Sequence, residues 1–173
     1  MAGAPSPAWG WYRLDQSWAE RLVDDAGIRR GDLVVDVGAG DGALIAPLLG
    51  RGARVIAVEL HPGRARRLAQ QFGDDITVVR ADARDLRLPR RPFRVVANPP
   101  WGITVPLLRR LLHPGSRLER ADLLLKRSVA NRSLHEHRHS PFELRLGPTV
   151  PRRAFRPPPP IDGRVLIAER ARR

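Results

Sequence analysis

Cysteine is absent from the chain, so it forms no disulfide and offers no thiolate to a metal. That absence suits a reducing compartment. No apolar run approaches the ~20 residues that a membrane-spanning helix needs. The opening residues, MAGAPSPAWGWYRLDQSW, lack the basic start and apolar core of a secretory leader. A cytoplasmic protein with no membrane contact is expected. Lysine is nearly missing too: Lys126 stands alone beside the arginines, a choice that a GC-rich genome would explain.

Codon usage does not explain a further shortage, that of acids in the second part of the chain. Residues 1–101 carry fifteen arginines against twelve acids, a net of +3. Residues 102–173 carry fifteen arginines and Lys126 against six acids, a net of +10 out of the total +13. An excess of that size points to a polyanionic partner, of which nucleic acid is the commonest.

At 173 residues the chain is read as one domain over 1–173. Residues 1–14 form an irregular, Pro- and Trp-bearing N-terminal segment. Asp15 can cap a helix over Ser17–Ala26, with Trp18, Leu22 and Val23 as its apolar stripe and Gly27 ending it. Strands are expected at Leu33–Val37, Arg54–Leu60, Ile76–Asp82, Phe93–Asn98 and Ala121–Lys126, with a final pair at 142–150 and 164–170. Helices fall between them: through Leu44 and Leu48, from Pro62 to Phe72, over 105–112, and after Lys126. Such alternation predicts an α/β fold with a mostly parallel sheet covered on both faces. The PPPP run at 157–160 reads as a stiff loop between two strands rather than an SH3-type ligand.

A glycine turn and three acids could hold a nucleotide. GAGDGA follows the first strand, and Gly38, Gly40 and Gly42 would let backbone approach a ligand closely. Glu59 ends the second strand, where an acid can take both ribose hydroxyls. GAGDGA also fits the dinucleotide pattern, so an NAD-binding protein is an alternative. Against it stands Asp36, two residues before Gly38, where a pyrophosphate would meet a carboxylate. A cationic ligand would be welcome there. S-adenosylmethionine, with its ribose, adenine, sulfonium and amino group, satisfies Asp36, Glu59 and, at the end of the third strand, Asp82.

The fourth strand ends in VVANPPWG. Neither proline can donate to a sheet ladder, so the strand stops at Asn98. Methylating the exocyclic amine of a base is hard because its lone pair is delocalised into the ring. The Asn98 side-chain oxygen and the Pro99 carbonyl, held by two rigid residues, could accept from that amine and sharpen its nucleophilicity. Trp101 offers a flat stacking surface. Transfer from a sulfonium needs no metal, and none is expected. The His135, His137 and His139 run (HEHRH) reads as a solvated or RNA-facing loop, and His61 as a residue at a helix start.

In order along the chain, DVGAGDG, AVELHP, ADARD, NPPWGI, LLLKRSVANR and PRRAFRPPPPIDGRVL resemble the rRNA adenine N6-methyltransferases. Within that family the likeness is to the Erm group, which confers macrolide, lincosamide and streptogramin B resistance. The resemblance implies a class I S-adenosylmethionine-dependent, Rossmann-like fold whose seven-stranded sheet ends in an antiparallel strand. It implies donor binding by Gly38, Gly40, Glu59, Asp82 and Asn98, and by an N-terminal segment matched here by Trp11–Arg13. Asn98, Pro99 and Trp101 would engage the target adenine, with Phe155 packing on its other face. The family's usual N-terminal Gln-Asn-Phe is replaced by GWY, and the likeness is to the family's short forms, so a helical C-terminal domain is not expected. The expected function is N6-methylation of an adenine in 23S rRNA, naked or precursor, by a monomer. Methylation of DNA adenine or protein glutamine, and a non-catalytic RNA-binding module, are the alternatives.

Overall fold

The computed structural model describes residues 11–171, and the expectation for residues 1–10 lies outside them. The order is β1 (Arg13–Leu14), α1 (Gln16–Ala26), β2 (Leu33–Val37), α2 (Ile45–Gly50), β3 (Arg54–Val58), α3 (Pro62–Phe72), β4 (Ile76–Val79) and β5 (Phe93–Ala97). There follow α4 (Thr104–Leu111), β6 (Leu118–Lys126), α5 (Arg127–Glu136), β7 (Phe142–Val150), β8 (Phe155–Arg156) and β9 (Gly163–Arg170). Seven of the strands form one sheet in the order β4-β3-β2-β5-β6-β9-β7. β9 runs antiparallel to both neighbours while the other contacts are parallel, as expected.

Alternation along the strands divides the core. Val34, Val55, Val96 and Leu124 pack under α1, α2 and α3, whose buried side chains include Leu22, Val23, Ile45, Leu48 and Leu68. Val35, Val95, Leu123 and Leu125 face the other way, onto Leu107, Leu108 and Leu111 of α4 and Ala130 of α5. Central strands buried on both faces explain why β2 reads as an unbroken apolar run apart from Asp36.

Three local expectations change. Asp15 takes the position before α1, but its side chain caps nothing. Its backbone N–H instead donates to the Ala154 carbonyl at 2.8 Å. Second, the N-terminal segment is not irregular from Arg13 onward: β1 pairs antiparallel with β8, Arg13 opposite Arg156 and Leu14 opposite Phe155. Third, β3, β4 and β5 each stop short of their expected ends, leaving Glu59, Asp82 and Asn98 in the loops beyond the sheet. Gly27 ends α1 in the left-handed conformation, as expected. Among the described residues no helix is long and apolar enough to cross a membrane.

Candidate active site

The site lies where the parallel strands end. Backbone N–H groups of Gly38 and Ala39 donate to the Val58 carbonyl at 2.8 and 3.0 Å, folding the turn after β2 over the end of β3. Gly38 and Gly40 have φ of 74° and 59°, and each is closely covered: Gly38 by Pro100 of the NPPW turn, Gly40 by the Trp11 ring. The two motifs read separately in the sequence are therefore in contact.

Glu59 is 3% exposed and fully engaged. One carboxylate oxygen accepts from Gly40 N–H at 2.9 Å; the other accepts from His61 N–H at 2.8 Å and from the Arg64 guanidinium at 3.2 Å. Arg64 in turn lies 5.1 Å over the Trp11 ring. His61 is the helix-start residue it was taken for, its Nδ1 accepting from Gly63 and Arg64 N–H at the head of α3. Asp82 holds Arg84 through its backbone and guanidinium, and these bonds keep its carboxyl below the usual carboxylate range.

Asp36 differs from these acids. Both of its oxygens are buried without a hydrogen-bond partner. Burial, and secondarily the Glu59 charge, push its carboxyl up to about 8. Alternation puts it on the same sheet face as Val34, toward Tyr12, Trp101 and Phe155. A pair of orphaned buried carboxylate oxygens beside a glycine turn fits a cationic ligand group, which would ionise the acid and pair with it. The folded protein holds the Asp36 proton where the unfolded chain, at 3.8, has lost it. The resulting stability is complete below the unfolded value and is lost as pH rises through about 8. Asp36→Asn should thus gain melting temperature relative to the wild type across that window. Thermal melts from acid to mildly alkaline pH would show it, and a constant difference would mean that folding does not shift the Asp36 carboxyl.

Asn98 is buried, and its Nδ2 donates to the Tyr12 carbonyl at 2.7 Å. That bond spends the donor and leaves the Oδ1 acceptor to be presented elsewhere. Trp101 is half-buried between Tyr12, 5.1 Å away and tilted, and Phe155, 5.9 Å away and edge-on. Phe155 is fully buried, so it does not present a face to a base as expected; it backs Trp101 because β8 turns its ring into the core. Arg13 is exposed and lines a neighbouring cleft with Asp41, Gly42 and Phe72, apart from Glu59 and Asp82. Arg64 was not singled out in the sequence, and Tyr12 only as part of the segment Trp11–Arg13. The Tyr12 carbonyl that holds Asn98 leaves no residue signal, although its ring packs on Trp101; Arg64 could have been suspected from its place on the first turn after Glu59.

The cavity between Gly38, Glu59, Arg64, Asp82 and Pro100 measures about 70 Å³. An adenosine-bearing ligand needs a few hundred at least, so Arg64, which lines the cavity, would have to move for one to enter. Among the described residues no cluster of His, Asp or Glu could hold a metal; His135 lies in the last turn of α5 and His137 just past it.

Acids at the ends of adjacent parallel strands, a glycine turn between them and an Asn-Pro-Pro-Trp turn on the next strand sit on a fold of the class I methyltransferase architecture. Comparison agrees: residues 11–171 match the model of the ribosomal RNA adenine dimethylases, and the chain belongs to that family. It is 33% identical over 166 residues to the mycinamicin-resistance protein MyrB of Micromonospora griseorubida, covering 92% of this chain and 53% of the relative. It is 35% identical over 146 residues to an rRNA adenine N-6-methyltransferase of Corynebacterium diphtheriae, covering 79% and 57%. The crystal structure of the 23S rRNA methyltransferase ErmE superposes with a TM-score of 0.83 at 26% identity, covering 92% of this chain and 70% of that one. The chain thus spans about half the length of those two curated relatives.

Proposed function

We propose that the chain is an S-adenosylmethionine-dependent methyltransferase that modifies N6 of an adenine in 23S rRNA and so confers macrolide-lincosamide-streptogramin B resistance. It would act as a cytoplasmic monomer on naked or precursor RNA. The observation that carries this reading is Asn98, locked by the Tyr12 carbonyl so that its acceptor is left for an incoming amine. When bound, the cofactor supplies an electrophilic methyl group on sulfur. Glu59 would hold its ribose, Asp36 its cationic end and Asp82 its adenine. Asn98 Oδ1 and the Pro99 carbonyl would accept from the amine's N–H groups, and Trp101 would stack on the base. The protein's contribution is alignment and fixed dipoles, not a covalent intermediate.

The test is transfer of labelled methyl groups to naked rRNA, DNA and a protein extract, followed by primer extension to map the modified nucleotide. Transfer to rRNA alone is expected. Preferential labelling of DNA or protein would replace the substrate assignment. Glu59→Ala should weaken donor binding by about 1–3 kcal/mol, the loss of a charged acceptor. Calorimetry would measure it, and saturable NAD binding by the wild type would overturn the cofactor assignment.

A further inference from the structure

On the α4 side of the sheet an open groove of about 750 Å³ runs outside the helix, and no acidic side chain lines it. Three separate segments build it: the loop 84–90, the outer face of α4, and the turn 115–117 that leads into β6. Its cations are Arg84, Arg87, Arg90, Arg109, Arg110 and Arg117. Two of these are structural. Arg84 is clasped by Asp82, and Arg110 donates to the carbonyls of Arg84 and Leu86 at 2.8 and 3.2 Å, tying the loop to the helix. The side chains of the other four are exposed and make no hydrogen bond or ion pair among the described residues. Leu86, Leu88, Pro89 and Pro106 give the groove an apolar lining between the charges.

Arg84 and Arg110 have acidic partners in Asp82 and Asp85, but gathering the other four charges without counterions is unfavourable for the fold itself. Position supplies the reason. Arg84 follows Asp82, which borders the candidate cofactor cavity, and α4 begins directly after the Trp101–Ile103 turn. The groove therefore has one end near the site, at Arg84 and Pro106, and runs along α4, whose eight residues span roughly 12 Å, to Arg90 and Arg117 at the starts of β5 and β6. That length accommodates about three phosphates of one strand.

We infer that this groove is a track for the sugar–phosphate backbone of RNA flanking the target nucleotide, with Arg87, Arg90, Arg109 and Arg117 as its phosphate contacts. The inference rests on the rRNA reading and adds to it a surface away from the aromatic pocket. Fixed Arg84 and Arg110 shape the groove, and the four unpaired arginines supply the attraction. Contacts of this kind set orientation and affinity rather than sequence choice.

The experiment is a salt titration of binding to a naked 23S rRNA fragment by the wild type and by Arg87→Gln/Arg90→Gln/Arg109→Gln/Arg117→Gln. All four side chains are exposed, and an unchanged melting temperature would confirm the fold. The slope of log affinity against log salt should fall by about 2–3, at ~0.7–0.9 per phosphate contact. Affinity should drop at least tenfold at moderate salt, while donor binding and turnover at saturating RNA stay the same. A wild type that methylates rRNA, with an unaltered slope in the variant, would overturn the groove. An equal loss of binding to polyglutamate would replace RNA by an acidic protein as its occupant. If the wild type methylates no RNA but the slope still falls, the groove stands and the catalytic reading fails, so the two are separable.

Discussion

Replacing Asn98 by alanine should leave a folded protein whose methyl transfer is slowed by about 10²–10³. The side chain has two jobs in the structure, one at each end of its amide. Nδ2 donates to the Tyr12 carbonyl at 2.7 Å, and Oδ1 is the acceptor proposed for the amine. Losing the first costs roughly 1 kcal/mol, the usual worth of one hydrogen bond. Losing the second removes a dipole that acts in the transition state, worth about 10²–10³ in turnover where comparable groups have been deleted. The measurement is single-turnover transfer at saturating donor beside a thermal melt. Asn98→Asp sharpens it: the carboxylate can still accept from an amine but cannot donate to Tyr12, so it should be folded and badly aligned. A fully active Asn98→Ala protein would end the proposal that this amide activates the substrate.

Trp101 calls for a different pattern, because it is both wall and platform. It packs between Tyr12 and Phe155 and belongs partly to the core. Trp101→Ala should lower the melting temperature as well as RNA-dependent rates, and Trp101→Phe should restore most of both. The indole Nε1 is buried without a hydrogen-bond partner, so the flat ring rather than its N–H is what a replacement must keep.

Gly38→Ala should be nearly as damaging as the loss of Asn98, and for a reason that joins the two halves of the site. With φ at 74°, an alanine there is strained by about 1–2 kcal/mol. Its Cβ would also sit 2.5 Å from Pro100 Cδ, part of a ring that cannot rotate away. Overpacking against a rigid neighbour adds about 1–3 kcal/mol and pushes the Pro99–Pro100 backbone out of place. Gly27→Ala gives the control for strain alone, since φ is 61° but nothing lies within 4 Å of its Cβ. The expected order of lost melting temperature is Gly38 well above Gly27, with donor binding and methyl transfer lost only at Gly38. Equal effects would mean that the turn and the NPPW motif are not mechanically joined.

Much of this arrangement was legible in the residues. The glycines, the acids at strand ends and the paired prolines are local features whose physical constraints hold in any surroundings, so Gly38, Glu59, Asp82 and Asn98 could be placed at one end of a sheet before any coordinates. What escaped depends on packing at long range. A strand of two residues, Arg13–Leu14, has no period to detect, and its partner lies beside Phe155 far along the chain. Asp15 has the composition of a helix cap, but the backbone bond to Ala154 holds the segment instead. Phe155 was expected to be a free face because nothing in its neighbours reveals that the short strand turns it inward. The charge excess pointed to the C-terminal part, whereas the groove along α4 draws on arginines from both parts, brought together only by the fold.

The position of β9 has a bearing on how the molecule is made. The last strand in the sequence lies between β6 and β7, and it supplies the ladder that joins β7 to the rest of the sheet. A chain emerging from the ribosome can assemble β2 to β6 early, but β6, Leu118–Lys126, then has one edge unpaired, with Leu123–Leu125 as its apolar run. β7 cannot dock until residues 163–170 arrive, and the β1–β8 clasp that holds Tyr12 against Asn98 closes only in the same late stage. Synthesis therefore passes through a stage that is compact, sticky at one edge and without a finished site. A chain interrupted after residue 150 would be an aggregation hazard rather than a smaller enzyme.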